Sequence, residues 1–500
     1  MVFALFMIML DNTVVNIALP SIGRSLSATQ SQLEWALNSY VLTFAALILF
    51  GGKLGDRFGR KRMFIVGLVI FTASSAACAL SGSMGVLIGA RVVQGMGAAL
   101  LNPLSLSILV NAFPRRQLPT AIGIWAGVSG LGLALGPVVG GLLVEHVSWS
   151  AVFWINVPVG IVAAVVALFA VDESRDPRTR SLDVVGTSLV TAGLFALVWA
   201  LIETNSHSFT SPFILGFLAL AGVLLVAFVV WESRVREPML PLSFFKRRAF
   251  TVSNLIVALV GLALFGSLYW ITFYLQNVKG YSPVEAGIRT LPLTLMIMIV
   301  APLAGRLSAR FGPRTMMTFG MSSATVGMLG LAQLSVGSSY NELWPFFSLI
   351  GVGMASTMPA VTSTAMGAVD PSRSGIASGV VNAMRQVGGA LGIAVLGAVA
   401  ASVASSAWST KVHALGVPSA VQTHLIGLSD KITNAAPAVV HHLPANAQSA
   451  ALDSFVQGMD AALYVGASLT AVAALVAFTL QVRTAPASAE RPVEITPEVV

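Results

Sequence analysis

Fourteen apolar runs, most of them long enough to cross a bilayer, follow one another along this chain and leave little else. They lie near 1–23, 34–54, 63–81, 84–111, 119–144, 150–171, 183–203, 212–231, 249–275, 284–305, 315–336, 343–368, 375–403 and 456–481. A helix needs roughly 20 predominantly apolar residues to span the hydrocarbon core, and several runs exceed that, as tilted helices do. Within the core every backbone polar group must be satisfied inside the protein, so spanning segments are helices or the strands of a closed barrel. The residue-by-residue alternation of barrel strands is absent from the sequence. These runs therefore predict an all-α membrane protein with fourteen transmembrane helices.

Composition agrees. Of 500 residues 56% are apolar and only 10% charged, with a mean hydropathy of +0.84, whereas soluble domains carry about 25% charged residues. A net charge of +8 would suggest nucleic acid in a soluble protein, but the positions of the charges say otherwise. With the N-terminus placed inside, one set of loops holds 21 of the 28 Lys and Arg residues and the opposite set holds four, Arg24, Lys279, Lys411 and Lys431. Arg91, Arg289 and Arg385 lie within spans or at their ends. Positive loops mark the cytoplasmic side. The expected location is the inner (plasma) membrane, multi-pass, with both termini cytoplasmic, the lipid bilayer as partner and no nucleic acid. A missed or invented span would invert the asymmetry from that point onward, and it holds from end to end.

Several functions are excluded on the same grounds. The lone cysteine, Cys78, sits in an apolar run and rules out an intramolecular disulfide or a cysteine-based metal motif. All six histidines fall on the outer side or its border, and His441 and His442 have no carboxylate or thiol at ligand spacing, so no metal site is expected. No phosphate-binding Gly-x-x-x-x-Gly-Lys-Ser/Thr loop is present, so energy comes from an ion gradient and no cofactor is expected. No polar catalytic cluster appears at a membrane interface, so the chain does not read as an enzyme. Residues Met1 to Leu10 lack the positive region of a signal peptide. The first run starts without a cytosolic lead-in, which points to a natural start upstream. The outer loop at about 404–455 is Ala-, Ser- and Pro-rich and is expected to hold short interfacial helices, and the tail from Arg483 reads as disordered.

The chain repeats itself. Gly52, Leu54, Arg57, Phe58 and Gly59 return as Gly305, Leu307, Arg310, Phe311 and Gly312 at a constant offset of 253, and Gly132, Ala134, Leu135 and Gly136 return as Gly388, Ala390, Leu391 and Gly392 at an offset of 256. Repeats on this scale mean two related bundles with a substrate site between them near the midplane. The runs 183–203 and 212–231 have no counterpart. The expected organisation is a six-helix bundle at 1–171, two extra helices with cytoplasmic linkers at 172–248, a second six-helix bundle at 249–481, and a cytoplasmic tail at 482–500.

Polar residues inside the spans are few. Asp11 lies mid-span, where an ionised carboxylate costs on the order of 3 kcal/mol. Such a group is protonated, paired or in a watery cavity, and it is a candidate for proton coupling or cation recognition, the alternative being a permanently paired structural carboxyl. Asn12 and Asn16 add polar groups beside it. Arg91 in the fourth span is the natural counter-charge, because it cannot give up its proton. A structural role on backbone carbonyls or on Gln94 is the other reading. Gly132, Gly136, Pro137, Gly140 and Gly141 make the fifth span thin and bendable. Asp56, Arg57, Arg60, Lys61 and Arg62 form the cytoplasmic loop after the second span, where positive charge fixes topology.

Together these segments resemble the major facilitator superfamily, and within it the fourteen-span drug:proton antiporters. The resemblance rests on Leu10 to Pro20 (LDNTVVNIALP), Gly52 to Arg62 (GKLGDRFGRKR), Arg91 to Gly97 (RVVQGMG), Gly132 to Gly141 (GLALGPVVGG), Phe153 to Gly160 (FWINVPVG), Tyr274 to Pro283 (YLQNVKGYSP) and Arg385 to Gly389 (RQVGG). It implies a secondary active transporter, working as a monomer, that exports small, largely apolar drugs or antibiotics in exchange for protons by alternating access. It assigns proton coupling to Asp11 and Arg91 and a substrate cavity to Asn12, Asn16, Gln94, Gln276 and Arg385. Gly132, Gly136, Pro137, Gly140 and Gly141 become the antiporter hinge. Gly52, Asp56, Arg57, Gly59 and Arg60 become a gate, Asp56 latching onto the start of the thirteenth span near Ser372 to Ile376. An importer of a nutrient or metabolite on the same fold is the alternative, since fold alone decides neither. The sequence departs from the family at Trp149 to Ala151, which lacks an often-present Arg, and at Ala309, which stands where the first repeat has Asp56. The second bundle has no unambiguous mid-span acid. Glu285, beside Arg289, and Asp460 lie nearer span ends.

Overall fold

The structure is a computed structural model that describes residues 1–112, 118–175, 183–204, 207, 210–236, 238–369, 374–433, 437–440 and 442–479. The first half consists of α1 (Val2–Ser25), α2 (Gln30–Phe58), α3 (Arg60–Ala79), α4 (Met84–Ala112), α5 (Leu118–His146) and a sixth segment in two pieces, α6 (Ala151–Trp154) and α7 (Asn156–Ala170). Two helices follow, α8 (Val184–Glu203) and α9 (Pro212–Arg234). The second half begins with α10 (Arg248–Phe273), which ends in a π-helical turn over Tyr274–Val278, and continues with α11 (Pro283–Arg289), α12 (Leu291–Phe311), α13 (Pro313–Leu331), α14 (Tyr340–Gly367) and α15 (Ser374–Ala414). Three short helices, α16 (Ser419–Ile426), α17 (Ser429–Ile432) and α18 (Pro437–Val440), precede the last, α19 (Ala445–Phe478). There is no strand among the described residues.

All fourteen expected runs are helical. Among the described residues twelve helical segments are long and apolar enough to cross a membrane. The other two, α5 and α13, are helical over most of their expected ranges. Helix starts follow the local sequence: Thr29 with Gln32, Ser282 with Glu285 and Ser339 with Glu342 form reciprocal capping boxes at α2, α11 and α14.

The repeat read from the sequence is a repeat of structure. The turn between α2 and α3 is made by Gly59 at φ +110° and the turn between α12 and α13 by Gly312 at φ +83°, a region that glycine enters without a Cβ penalty. In the first half α1 packs along α5, and in the second α10 packs along α15. The repeated glycines mark these crossings: Gly132 and Gly136 lie against Phe6, Leu10 and Thr13 of α1, while Gly388 and Gly392 lie against the Ala258 and Leu262 carbonyls of α10. Missing side chains let the helices approach to backbone contact.

The unrepeated pair α8–α9 forms a hairpin whose first helix packs on both α2 and α15. Trp35 of α2 stacks on Phe195 at 6.2 Å and meets Trp199 at 5.4 Å. Contacts at one end of the bundles, the end expected to lie outside, join the halves: Gln276 Nε2 donates to the Ile17 carbonyl at 2.9 Å, the Val284 N–H donates to Glu145 at 3.0 Å, and Gly287 lies on the Pro137 carbonyl.

The outer loop differs from expectation in one respect. Helix α15 runs on to Ala414 and α19 begins at Ala445, so both ends of the 404–455 loop are helical extensions, with α16, α17 and α18 between them. Hydropathy marks the end of an apolar run, whereas Ala-rich sequence keeps the helix going past it. Trp408, Val412, Leu425, Ile432 and Ala451 bury one another in a small core there, and Trp408 Nε1 donates to the Leu425 carbonyl at 2.8 Å.

Candidate functional site

Asp11 sits halfway along α1, fully buried, and its two oxygens are used differently. Oδ2 accepts from Arg91 Nη1 of α4 at 2.5 Å. Oδ1 accepts from Gln94 Nε2 at 3.0 Å and from Asn156 Nδ2 of α7 at 3.1 Å. One carboxylate thus gathers donors from two other helices. A single N–H donor to a charged group contributes about 1.5–3 kcal/mol, so three donors are what keep an ionised carboxylate tenable at this depth.

Arg91 is held on all sides. It is 1% exposed; its Nε donates to the Ala36 carbonyl of α2 at 3.1 Å and its Nη1 also donates to Gln94 Oε1 at 2.8 Å. The guanidinium carbon lies 4.1 Å from the centre of the Tyr40 ring and 5.8 Å from that of Phe153, a cation–π arrangement that retains a charge out of water. Gln94 is reached from Arg91 by one helical turn, so the Arg-x-x-Gln spacing puts both on the face toward Asp11. Ser75 of α3 closes the network: its Oγ accepts from Asn156 at 3.1 Å and donates to the Phe153 carbonyl at 2.9 Å. The two sequence readings of Arg91, counter-charge and backbone brace, both describe what it does.

The other expected residues divide. Asn12 and Asn16 each turn their amide back onto their own helix, to the Ile8 carbonyl at 2.9 Å and the Asn12 carbonyl at 3.1 Å, and do not join the Asp11 network. Gln276, in the π-helical turn after α10, ties the second half to α1 through the Ile17 carbonyl. Arg385 of α15 is half-buried in the second half, with Nη2 donating to Asn382 Oδ1 at 3.2 Å and Nε buried without an acceptor among the described residues. Glu285 pairs with Arg289 at 3.4 Å.

Around the gate loop Asp56 is engaged one turn away, by Arg60 at 2.7 Å. Gly59 lies against the Glu173 carboxylate, which accepts from the Lys61 and Arg62 N–H groups at 3.1 and 3.2 Å and so caps the start of α3. Residues 370–373, part of the expected docking point for Asp56, lie outside the described residues, and of Ser374 and Gly375 only the backbone is described. Among the glycines expected to form a hinge, Gly136 rests on Thr13 and Leu10, next to Asp11 itself, Gly140 on Val14 and Gly141 on Pro283 and Val284. Pro137 lies inside α5 with its carbonyl against Gly287.

A family model described as Major Facilitator Superfamily matches residues 1–393. The chain belongs to the Major Facilitator Superfamily. It is 38% identical to the tetracenomycin C resistance and export protein of Streptomyces glaucescens over 478 residues, 94% of this chain and 88% of that one. It is 35% identical to the multidrug resistance protein Stp of Mycobacterium tuberculosis over the same shares. Among solved structures, a bacterial homolog of the human lysosomal transporter Spinster covers 95% of both chains at 20% identity with a TM-score of 0.62, a likeness of fold. This superfamily member is a multi-pass membrane transporter whose similar proteins include drug and antibiotic resistance proteins.

Sequence reading found Asp11, Arg91 and Gln94 but missed Asn156, Ser75 and Tyr40 as their partners. Asn156 lies inside the Phe153 to Gly160 motif, where nothing in the sequence sets it apart. Ser75 and Tyr40 carry no signal of their own, because Ser and Tyr are ordinary in membrane helices. Glu34 of α2, fully buried beside Gln30, Tyr269 and Gly397, was also passed over because it stands at the edge of its apolar run.

Proposed function

We propose that this transporter exports small, largely apolar drugs or antibiotics in exchange for protons. The observation that carries the reading is the Asp11–Arg91–Gln94–Asn156 network. It is a fully buried carboxylate, met by donors on α4 and α7, on α1, the helix of the first half packed most extensively along the glycine-rich α5. Protonating Asp11 removes the charge that Arg91, Gln94 and Asn156 converge on and loosens three helices at once. That is the local change a proton needs in order to bias a two-state rearrangement.

Proton binding from the outer side accompanies release of cargo outward; proton release inward accompanies loading from the cytoplasm or inner leaflet. The outer-end contacts between the halves support a cytoplasm-open stage of this cycle, with Gln276 and Glu145 as part of the outer seal. Cargo is held between the halves, where Arg385 and Asn382 offer the polar contacts of an otherwise apolar site. The similar resistance and export proteins support outward direction. Charge distribution supports cytoplasmic termini.

Inverted vesicles test the reading. A proton gradient, acidic inside, should drive drug accumulation that collapses with a protonophore, and drug addition should release protons from the lumen. Accumulation that survives the protonophore and tracks ATP or membrane potential alone would overturn it.

A further inference from the structure

A second pair of acids lies far from Asp11, at the cytoplasmic base of the unrepeated helices. Asp183 caps α8 and is 6% exposed; Glu232 is in the last turn of α9 and is 3% exposed. Each carboxyl has one oxygen satisfied. Asp183 Oδ1 accepts from the Gly186 N–H and from Trp231 Nε1, both at 2.8 Å. Glu232 Oε2 accepts from the Leu240 N–H at 3.1 Å. Each has one buried oxygen, Asp183 Oδ2 and Glu232 Oε1, that no donor among the described residues reaches. The two carboxyls are within hydrogen-bonding reach of each other.

Among the described residues neither acid forms an ion pair. Among the described charged side chains around the pair, Arg234 and Arg236 are exposed, and Lys53 of α2 places its Nζ on the Pro238 carbonyl at 3.1 Å. The other described neighbours are neutral: Thr187, which donates to the Met239 thioether at 3.3 Å, Trp231 and Leu240. Two ionised carboxylates facing each other without a cation, out of water, repel strongly. A hydrogen on one of them turns the repulsion into an O–H···O bond and satisfies both orphan oxygens, as in other buried carboxyl pairs.

We infer that Asp183 and Glu232 bind one proton between them, forming a proton-held clasp at the base of α8 and α9. The segment it fastens is the linker into the second half. Leu240 is bound to Glu232, Met239 to Thr187 and Pro238 to Lys53, and the chain then enters the Phe244–Phe250 contact of the second half. The clasp therefore joins the extra hairpin, the cytoplasmic end of α2 and the start of the second half through one site on the cytoplasmic side. It is independent of the Asp11 reading.

The full-length protein, reconstituted and carrying Asp11→Asn to remove that carboxyl from the signal, tests this. Ordinary carboxyls are ionised at neutral pH, their pKa being about 4. Infrared difference spectra should show a protonated-carboxyl band at neutral pH that loses one carboxyl's amplitude on Glu232→Gln. The folded state would then hold a proton that the unfolded chain has released, so stability should fall as pH rises from the ordinary carboxylate range. The glutamine amide has no proton to lose and still offers an N–H to Asp183, so this variant should flatten the melting temperature against pH while staying folded. If the spectra of the two proteins superimpose, or if their melting curves keep the same pH slope, the shared proton does not exist.

Discussion

Arg91 reaches Asp11 across 80 positions of sequence and binds one carboxylate oxygen, Oδ2, while the other is left to amides. The pair is sealed inside the first half, so each member depends on the other to be tolerated there. Removing one partner of a buried pair strands the other, at about 3–5 kcal/mol. Asp11→Asn is expected to abolish efflux and to lower the melting temperature of the detergent-solubilised protein. Adding Arg91→Met should recover much of the stability and none of the transport. Efflux that persists in Asp11→Asn at wild-type protein levels would remove this carboxyl from the cycle.

Asn156 supplies a donor to Asp11 Oδ1 and another contact to Ser75. Asn156→Leu keeps a side chain of similar reach and removes both, leaving Asp11 with fewer donors. A loss of about 1–3 kcal/mol in stability is expected from the unsatisfied polar groups, with a several-fold fall in drug resistance measured in a pump-deleted host. Ser75→Ala, which leaves the Asn156–Asp11 bond in place, should be milder on resistance.

These two residues show where sequence reasoning stops. Asp11 is legible because a carboxylate in an apolar run is too expensive to be incidental, and Arg91 and Gln94 because their spacing puts them on one helical face. Their contact is tertiary, set by how α1, α4 and α7 pack, and no local pattern encodes it. The repeat was legible to the level of single glycines: Gly132 and Gly388 take equivalent places because helix crossings tolerate little else. Asn12 and Asn16, which the resemblance assigns to the substrate cavity, each place their amide N–H on the carbonyl one turn back, as a buried amide in a helix readily does, a local contact that sequence proximity to Asp11 does not reveal. Asp183 and Glu232 escaped notice because acids at span ends are ordinary, and only the fold shows them meeting.

The hinge glycines can be ranked. A Cβ on Gly136 would run into Thr13 Oγ1 and Cβ of α1, two residues from Asp11, whereas one on Gly89 of α4 would meet nothing within 4 Å. Gly136→Ala is expected to cost about 1–3 kcal/mol through forced separation of α1 and α5 and to cut efflux. Gly89→Ala should be neutral or stabilising by about 0.4–1 kcal/mol. Thermal unfolding with parallel resistance assays compares them. Equal effects would mean that α1 and α5 are not in backbone contact.

The duplicated turns separate strain from crowding. Gly59 and Gly312 both have positive φ, but only Gly59 has a neighbour, the Glu173 carboxylate that caps α3. Gly312→Ala should cost about 1–3 kcal/mol from strain alone. Gly59→Ala should cost more, because it also displaces Glu173 from the Lys61 and Arg62 N–H groups. Melting temperatures of the two variants, and of Glu173→Ala, measure the difference. Gly312→Ala proving the more damaging would contradict the capping role of Glu173.

The outer seam gives the most direct test of alternating access. Glu145 of α5 accepts from the Val284 N–H of α11 at 3.0 Å, so these positions bring the two halves within reach of a short cross-link. Cys78 is the chain's one cysteine and its Sγ donates to Gln94 Oε1 at 3.7 Å, so Cys78→Ser, which keeps a donor beside the Asp11 network, provides the background. In that background Glu145→Cys with Val284→Cys is expected to transport drug when reduced. It should stop when a short thiol cross-linker joins the two positions, and recover if the link is cleavable and is cut. Joining the halves at their outer ends leaves the Asp11 network untouched, so the loss can be assigned to movement of the seam. Full transport by quantitatively cross-linked protein would mean that the outer ends need not part for cargo to leave.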